Sequence, residues 1–391
     1  MQRKKVISVI AAIAAALVVG VNTTSTYAAG VPNIPQLKLL GKGEGQLNLI
    51  VWAGYAENGS NDKTVDWVNP FTKATGCKVN AKTAGTSDEM VSLMKSGGYD
   101  GVSASGDASL RLIYGGQVAP VNTKLVPNYG TISTFLKNQK WNSVNGQMYG
   151  IPHGWGANVL AYNSAKVKKP TSWSVVFDPK SPYKGAITAY DSPIYIADAA
   201  VYLMAHNPSL GIKNPYALDS KQLAAAVALL KTQKKGVGEY WSDYTKSVQS
   251  FESSNTLLGS SWQVIVNTIN GDKKVKVDSV VPSEGATGWS DTWMISSKAA
   301  HPNCMYQWMN WITSPKVNAQ VAEYFGEAPS QTLACAQTSD KSFCTTYHAL
   351  DSAYASKIWY WTTPTSDCVD GRGNICADYA KWTQAWTAIK G

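Results

Sequence analysis

The chain has 391 residues and a formal net charge of +9, from 35 Lys and Arg against 26 Asp and Glu. The basic residues are spread along the sequence without an Arg cluster or a basic stripe, and their densest points are Lys234 with Lys235 and Lys273 with Lys274. This distribution is typical of a solvated surface, and nucleic acid is not an expected partner. The length exceeds one ordinary hydrophobic core and predicts two domains.

The N-terminus predicts export. Basic residues at positions 3–5 precede an apolar run over residues 6–21, and small residues follow at 26–29. This order is that of a secretory signal peptide over residues 1–28, cleaved near Ala28, although an apolar run of this length could also nearly span a bilayer as an anchor. No Cys follows the run, so we expect no lipid anchor on the mature chain.

After a linker over residues 29–45, strands and helices alternate. In order we predict a strand over 46–51, a helix around 64–75 that ends at Gly76, a strand near 78–81, a helix that begins at a capping box of Thr86 and Glu89 and ends at Gly97, and a strand over 99–103. Such alternation predicts a parallel sheet with helices packed on its faces. Ligands bind beyond the carboxyl ends of such strands, which places residues 52–55 and 103–107 at the functional edge.

The middle of the chain repeats this pattern. We predict strands over residues 158–163, 186–189, 257–261 and 277–281. A helix is expected to begin at Ser192, with Pro193 in its first turn, and an amphipathic helix is expected over 218–231 with Asp219 or Ser220 as its cap.

Six Cys residues are present, an even number that can pair completely in an oxidising compartment. Two Cys pairs enclose short polar loops, and the remaining two Cys can form a long-range bridge. The predicted disulfides are Cys335 with Cys344, Cys368 with Cys376, and Cys77 with Cys304. A zinc site is the alternative, but no CxxC spacing and no His in register support it, and no cofactor is expected.

A series of short motifs occurs in order along the chain. They are W-x-x-Y at 52–55, Y-D-G-V-S-A-S at 99–105, Y-G-I-P-H-G-W-G at 149–156, S-W at 172–173 with Y-K-G at 183–185, G-S-S-W at 259–262, V-P-S-E-G at 281–285, W-S-D at 289–291 and F-G at 325–326. In this order they resemble the polyamine-binding branch of bacterial periplasmic solute-binding proteins, the spermidine/putrescine type. The resemblance starts near Leu47 and is poor after Ala334.

The resemblance implies an α/β fold of the periplasmic-binding-protein type II kind, in which two lobes close on a ligand about a hinge. The chain would cross between lobes near Trp155, Ser283 and residues 325–330. The implied domains are lobe I over 46–155 and 284–328, and lobe II over 156–283 and 329–391. The family further implies a monomeric periplasmic protein, not an enzyme, that passes a small cationic or amine-bearing solute to an ABC permease in the inner membrane.

The matched motifs and their neighbours supply the expected ligand-binding residues. These are Trp52, Tyr55, Ser105 and Asp107 on the wall of the first lobe, Asp191, Ser192 and Tyr195 on the second, and Trp262, Trp289, Asp291 and Glu327 elsewhere in the site. An ammonium ligand needs a carboxylate to neutralise it and aromatic faces to replace its water. Asp291 is the first choice for the carboxylate, since the family carries an acid two residues after an aromatic cage residue.

The chain departs from the family at several acids. Gly54 replaces the acid of the first loop, and Ser192 and Tyr195 replace two acids at the start of a helix in the second lobe. Glu327 stands where the family more often has an aromatic residue. Either other acids compensate for these losses, or the ligand carries one positive charge or is a zwitterion.

Three other functions compete with this interpretation. A secreted carbohydrate-binding protein would use the same aromatic platforms, and 15 Trp with 20 Tyr suit it. Iron capture would need paired Tyr ligands, for which Tyr55 and Tyr195 are too few. An enzyme is disfavoured because the four His residues are scattered and no nucleophile elbow, P-loop or dinucleotide-binding motif is present.

Overall fold

The computed structural model describes residues 30–391, so the predicted signal peptide lies outside the described residues. The strands are β1 (Gln46–Val51), β2 (Lys78–Thr83), β3 (Gly101–Ala104), β4 (Ser143–Val144), β5 (Gln147–Met148), β6 (Ile151–Asn163), β7 (Ile187–Tyr190), β8 (Val237–Trp241), β9 (Leu258–Trp262), β10 (Val277–Val280), β11 (Ala286–Ile295), β12 (Ala328–Pro329) and β13 (Ile358–Tyr360). Within residues 30–391, no helix has the length and apolar character needed to cross a membrane.

The helices surround these strands. They are α1 (Val68–Thr75), α2 (Ser87–Ser96), α3 (Gly106–Tyr114), α4 (Ser174–Phe177), α5 (Ile196–His206), α6 (Ser220–Lys234), α7 (Tyr244–Glu252), α8 (Gln263–Asp272), α9 (Pro302–Ile312), α10 (Pro315–Phe325), α11 (Phe343–Thr346), α12 (Ser352–Ala355) and α13 (Tyr379–Lys390). Short 3-10 turns lie at Thr123–Leu125, Pro127–Thr131, Thr134–Leu136, Pro193–Tyr195, Pro208–Leu210 and Ala334–Ala336.

Side-chain caps begin α2 and α6 at the predicted places, whereas the helix predicted after Ser192 starts as a 3-10 turn and becomes α5 at Ile196. Thr86 Oγ1 accepts a hydrogen bond from the Glu89 backbone N–H at 3.1 Å, while the Glu89 carboxylate accepts from Gly85 N–H at 2.8 Å. The reciprocal half of this capping box is therefore shifted by one residue. At α6, Asp219 and Gln222 form the complete box, at 2.9 and 3.0 Å. These bonds satisfy N–H groups that have no partner within the helix.

Helix α1 begins four residues later than the sequence predicts. Residues 64–67 instead belong to a loop in which Asn58 and Asp66 form an isolated bridge. The backbone N–H of Trp67 donates to the Glu57 carbonyl at 3.1 Å. Backbone groups that are satisfied across this loop are not available to a helix, so the helix starts at Val68.

Eleven strands form one mixed sheet. Its main order is β2-β1-β3-β11-β6-β9-β7-β8, and β10, β12 and β13 pair outside this path. The outer pairs, β1 with β2 and β3 and β7 with β8 and β9, are parallel, as predicted. The prediction is wrong for the centre, where β11 runs antiparallel to β3 and β6, and β6 antiparallel to β9. Strands β3 and β6 run in the same direction, and β11 lies between them in the opposite direction, because the chain that returns from β10 through residues 281–285 enters the sheet antiparallel to β6.

Strand β6 connects the two halves of this sheet. Residues 151–157 pair with β11, and residues 158–163 pair with β9 and β10. The chain comes back from β10 to β11 through residues 281–285, and β12 then pairs with Gly154 and Trp155. These are the places at which the resemblance puts the crossings. The C-terminal tail contacts both halves, since β13 pairs with β11 and α13 packs on α6, and the assignment of whole segments to lobes stays a prediction.

The three predicted disulfides are confirmed. Cys77 with Cys304 joins the start of β2 to α9 across a sequence separation of 227 residues. The other two bridges close loops in the C-terminal tail, with separations of 9 and 8 residues.

Candidate functional site

Four polar side chains from distant parts of the chain meet in the interior. The Tyr55 hydroxyl lies 2.7 Å from Asp291 Oδ2 and 2.6 Å from Glu327 Oε2. The Ser105 hydroxyl donates to the other oxygen of Asp291, Oδ1. Each of these side chains is at most 3% exposed. We call Tyr55, Ser105, Asp291 and Glu327 the polar cluster.

The sheet brings the polar cluster together. Tyr55 follows parallel strand β1 and Ser105 follows parallel strand β3, so both lie at the same carboxyl edge. Strand β11 carries Asp291 past this edge because it pairs antiparallel with β3, with Thr292 opposite Ala104. The prediction that residues 52–55 and 103–107 share one edge is thereby confirmed in its geometry.

A left-handed turn delivers Glu327 to the same place. Helix α10 ends at Gly326, whose φ of 89° is a conformation that glycine adopts without steric cost. The backbone N–H groups of Gly326 and Glu327 both donate to the Ala322 carbonyl, at 2.8 and 3.1 Å. The chain therefore reverses at once, and the Glu327 side chain lies over β6.

Glycines on β6 leave room for two of the site's side chains. A Cβ atom on Gly154 would lie 2.1 Å from the Glu327 carboxyl carbon, and one on Gly156 would lie 2.8 Å from Cζ2 of Trp289. Both distances are shorter than a non-bonded contact allows. These two positions therefore need glycine for Glu327 and Trp289 to lie where they do.

A wall of aromatic rings adjoins the polar cluster. Its ring-centroid distances are 6.4 Å from Trp262 to Trp289, 5.6 Å from Tyr190 to Trp262, 4.8 Å from Trp241 to Trp262 and 5.7 Å from Tyr190 to Trp361. The last pair is nearly parallel, and the first and third are edge-to-face. Such faces can replace the water around a cation or stack on a sugar ring.

Hydrogen bonds orient one ring of this wall. The Trp262 indole N–H donates to Asn158 Oδ1 at 2.9 Å, and Asn158 Nδ2 donates to Thr287 Oγ1 at 2.6 Å. Asn158 lies on β6 and Thr287 on β11, so residues of these two strands together orient the Trp262 indole at the end of β9.

Burial changes the acid–base properties of the carboxyl groups. It raises the pKa of Asp291 to about 7, against the hydrogen bonds from Ser105 and Tyr55, and it raises the pKa of Glu327 well above its usual range. Burial also raises the pKa of Asp107 to about 6 and lowers the pKa of His153 to about 3. The carboxylates thus pay a desolvation cost, and His153 is neutral near pH 7.

In the part of the chain that the structure describes, these three acids have no direct Lys or Arg partner. Of the ion pairs formed within residues 30–391, none joins Asp107, Asp291 or Glu327 to a Lys or Arg. His153 Nε2 lies 3.4 Å from Glu327 Oε1, but both groups are fully buried and form no hydrogen bond with each other. In the same part of the chain, no group of three or more His, Cys, Asp or Glu side chains is placed to hold a metal ion.

A family model described as bacterial extracellular solute-binding protein matches residues 66–343 of the chain. The chain belongs to this family. The spermidine/putrescine-binding periplasmic protein of Escherichia coli (strain K12) is 25% identical over 301 residues, which are 72% of this chain and 81% of the relative. The putrescine-binding periplasmic protein SpuD of Pseudomonas aeruginosa (strain UCBPP-PA14) is 25% identical over 275 residues, or 66% and 72% of the two chains.

Solved structures show the same fold for this solute-binding protein. The spermidine/putrescine ABC transporter substrate-binding protein PotD of Streptococcus pneumoniae superposes with a TM-score of 0.68 at 19% identity, over 88% of this chain and 97% of that one. The predicted fold of the periplasmic-binding-protein type II kind is confirmed. The matched relatives are binding proteins, and the chain is a binding protein rather than an enzyme.

The remaining predicted residues of the solute-binding protein lie at different distances from the polar cluster. Trp52 is half-buried in the loop between β1 and Tyr55 and packs against the core. Asp107 is the second residue of α3 and accepts a hydrogen bond from the Ser87 hydroxyl of α2 at 2.9 Å. Asp107 is close enough to Asp291 for its charge to raise the pKa of that carboxyl group.

Three predicted residues of the second lobe have partners elsewhere. Asp191 accepts hydrogen bonds from Lys390 Nζ at 3.0 Å and Trp386 Nε1 at 3.1 Å. Ser192 caps the 3-10 turn before α5. Tyr195 is buried and its hydroxyl accepts from Gln233 Nε2 at 2.9 Å. The structure does not bring these side chains to the polar cluster, and their role in ligand binding stays a prediction.

Sequence reasoning did not single out Tyr190, Trp241 and Trp361. Tyr190 is the last residue of β7 and Trp241 the last of β8, two parallel strands that end at one edge. The rule that selected residues 52–55 would also have selected these two. Trp361 follows β13 in the tail that resembles the family poorly, so no motif pointed to it.

Proposed function

We propose that this protein is the periplasmic solute-binding component of an ABC importer and captures a small cationic or amine-bearing solute between two closing lobes. A permease in the inner membrane would accept the solute. Family membership supports the task of solute capture, and the polar cluster with its aromatic wall supports the cationic ligand.

The observation that carries the ligand class is the buried Asp291 carboxylate beside an aromatic wall. Desolvation without a basic partner raises the pKa of Asp291 to about 7, which means that its ionised form is present at neutral pH but is less stable than that of an exposed Asp. A bound ammonium or guanidinium group would supply the missing positive charge. Trp289 and Trp262 would present ring faces to the same cation, each contact contributing roughly 1–2 kcal/mol when desolvated.

The relatives support this ligand class without defining the ligand. Two of them are named for spermidine or putrescine, at 25% identity. At 25% identity, two binding sites can both select a positively charged ligand and yet differ in the length of the ligand that they accept. The loss of the first-loop acid at Gly54 and the commitment of Asp191 to Lys390 both argue for a ligand that differs from a long polyamine.

The test is a thermal-shift panel of polyamines, monoamines, amino acids, betaines and sugars, followed by calorimetry on two variants. Ligand at a hundred times its dissociation constant adds roughly 2.7 kcal/mol of stability, which a raised melting temperature reveals. We expect Asp291→Asn to cost about 3–5 kcal/mol of binding, and Trp289→Ala about 1–3 kcal/mol.

The control is Asp272→Asn, an exposed acid at the end of α8, which should bind as the parent does. Binding of Asp291→Asn within about threefold of the parent would contradict the cationic ligand. A larger loss for Trp289→Ala than for Asp291→Asn, with a sugar as the stabilising compound, would identify a carbohydrate-binding site instead.

A further inference from the structure

We infer that Glu327 is a protonated, neutral acid, so that the polar cluster presents one negative charge, on Asp291, and selects a solute with a single positive charge. The ligand class rests on the proposed function. The placement of the proton follows from the hydrogen bonds alone.

The Tyr55 hydroxyl cannot serve two carboxylates. It carries one hydrogen, yet its oxygen lies 2.7 Å from Asp291 Oδ2 and 2.6 Å from Glu327 Oε2. If both acids were ionised, one of these contacts would set an anionic oxygen against a lone pair of the hydroxyl. One carboxyl group must therefore bear a proton and donate it to Tyr55, while Tyr55 donates to the other.

The surroundings place that proton on Glu327. Asp291 has a second donor, the Ser105 hydroxyl, which stabilises its ionised form. Glu327 Oε1 has no hydrogen-bond donor within residues 30–391, and the α-carbon of Gly154 lies directly against the carboxyl group. An ionised carboxylate in such a place would be both desolvated and unpartnered. The hydrogen bonds then run from Glu327 to Tyr55 and from Tyr55 to Asp291.

The other titratable groups near the cluster do not alter this count. His153 is fully buried and uncharged near pH 7, so it does not neutralise a Glu327 carboxylate. Tyr347, which faces Glu327 from the tail, accepts a hydrogen bond from Asn267 Nδ2 at 3.0 Å and is neutral. Asp107 accepts a hydrogen bond from the Ser87 hydroxyl, and the positive charge of Arg111, which forms its ion pair with Asp88, stabilises the ionised form of Asp107 from a distance. Within the polar cluster, Asp291 is therefore the carboxylate whose charge a ligand must neutralise.

The single negative charge of the polar cluster determines how many positive charges a ligand can carry. A monocation satisfies Asp291 and leaves the rest of the aromatic wall in contact with its apolar part. A diamine of the same length would bring a second ammonium against Glu327 or the rings, with no second carboxylate to receive it. Burying that charge without a partner is unfavourable, so Glu327 acts as a specificity-determining residue.

The protonation of Glu327 is tested in the ligand-free protein by infrared difference spectroscopy, which compares the parent with Glu327→Gln. Glutamine has the shape of a protonated glutamic acid, and its NH2 group can donate to Tyr55 in the same way. We expect a carbonyl band of a protonated carboxylic acid that is present in the parent at pH 7 and absent in the variant. Absence of this band from the parent would overturn the inference. As a second variant, Tyr55→Phe should keep the band and shift it, because the acid loses its hydrogen-bond partner.

The ligand class is tested by calorimetry with butylamine and putrescine, which differ by one amino group. We expect butylamine to bind the parent more tightly than putrescine, and Glu327→Gln, which keeps the single charge on Asp291, to show the same order of the two amines. Equal or tighter binding of putrescine by the parent, or a reversed order in Glu327→Gln, would overturn the single-charge site. If neither amine bound, the proposed function would fail with the ligand class, whereas the infrared band decides the protonation of Glu327 separately.

Discussion

Gly154 and Gly156 lie two residues apart on β6, so both present an α-hydrogen to the same face of the sheet. The Glu327 carboxyl group and the Trp289 ring pack directly on these two positions. Neither glycine has a positive φ. Their role is therefore to provide space, and the site depends on it as much as on the residues that carry charge.

Substituting Gly156 with Ala should move the Trp289 ring, because the new Cβ would lie 2.8 Å from Cζ2. We expect a loss of stability of about 1–3 kcal/mol from overpacking and a fall in ligand affinity of at least about tenfold. Calorimetry and chemical denaturation measure the two effects. Gly271→Ala is the matched control, since its Cβ meets no atom within 4 Å on α8 and should leave affinity unchanged. Parental affinity in Gly156→Ala would contradict the placement of Trp289 in the site.

The raised pKa of Asp291 gives ligand binding a pH dependence. A cation binds the ionised form, and the pKa of about 7 means that this form is depleted as the pH falls below neutrality. We expect affinity to rise by up to about tenfold per pH unit as the pH increases toward 7, and to level off until the ligand amine loses its proton. Calorimetric titrations with an amine ligand from about pH 5 to about pH 9 measure the affinity on both sides of the Asp291 pKa of about 7.

Asp291→Asn should abolish this pH dependence, since Asn does not titrate. Asp107, with a pKa of about 6, is the neighbouring group that could produce a similar profile. Asp107→Asn should therefore keep the dependence near pH 7. A flat profile in the parent would show that Asp291 does not exchange a proton when the ligand binds.

Among the elements, helix α9 is tied to the N-terminal part of the chain by several contacts. The Glu44 carboxylate accepts hydrogen bonds from the backbone N–H groups of Asn303 and Cys304, both at 2.9 Å, in the first turn of the helix. Cys304 is bonded to Cys77 at the start of β2. The predicted linker accordingly has no helix or strand in residues 30–45, but its end caps α9.

The long-range disulfide should contribute more stability than a local one. In the chain-entropy model, opening a loop of 227 residues costs about 5 kcal/mol, and opening one of 9 residues about 2.5 kcal/mol. We expect the double variant Cys77→Ala with Cys304→Ala to be less stable than Cys335→Ala with Cys344→Ala, as measured by chemical denaturation. Mass spectrometry of the unreduced parent should find no free thiol. Equal stability of the two double variants would mean that the entropy of the long loop is not what this bridge restricts.

At the scale of the whole molecule, three segments connect the two halves of the sheet around one strand. They are β6, residues 281–285 between β10 and β11, and β12 against Gly154 and Trp155. The polar cluster lies at this junction, since Asp291 belongs to β11 and Glu327 directly precedes β12. A ligand bound there would contact both halves and would favour the closed arrangement.

We predict that saturating ligand reduces the radius of gyration measured by small-angle scattering. Closure brings the two halves together without adding mass, so the compact form scatters with a smaller radius. Asp291→Asn at the same ligand concentration is the control and should keep the larger radius, because it does not bind. A parent that binds ligand with an unchanged radius would be a rigid binder.

Local sequence patterns determined much of the outcome. The bounds of β1, the caps at Thr86 and Asp219 and the two short-loop disulfides follow from signals that act over a few residues, and the even number of Cys residues left Cys77 to pair with Cys304. The two partners of a helix cap or of a short-loop disulfide lie within a few residues of each other, so the interaction can be predicted from the local sequence.

Tertiary structure alone decided the rest. The antiparallel centre of the sheet depends on which strands pair, and no residue in β6 or β11 encodes its partner. Glu327 meets Tyr55 across 272 residues, and the commitment of Asp191 to Lys390 spans 199. The protonation inferred for Glu327 requires that two carboxyl groups contact one hydroxyl away from water, and desolvation and proximity are properties of the folded chain, not of the residue type.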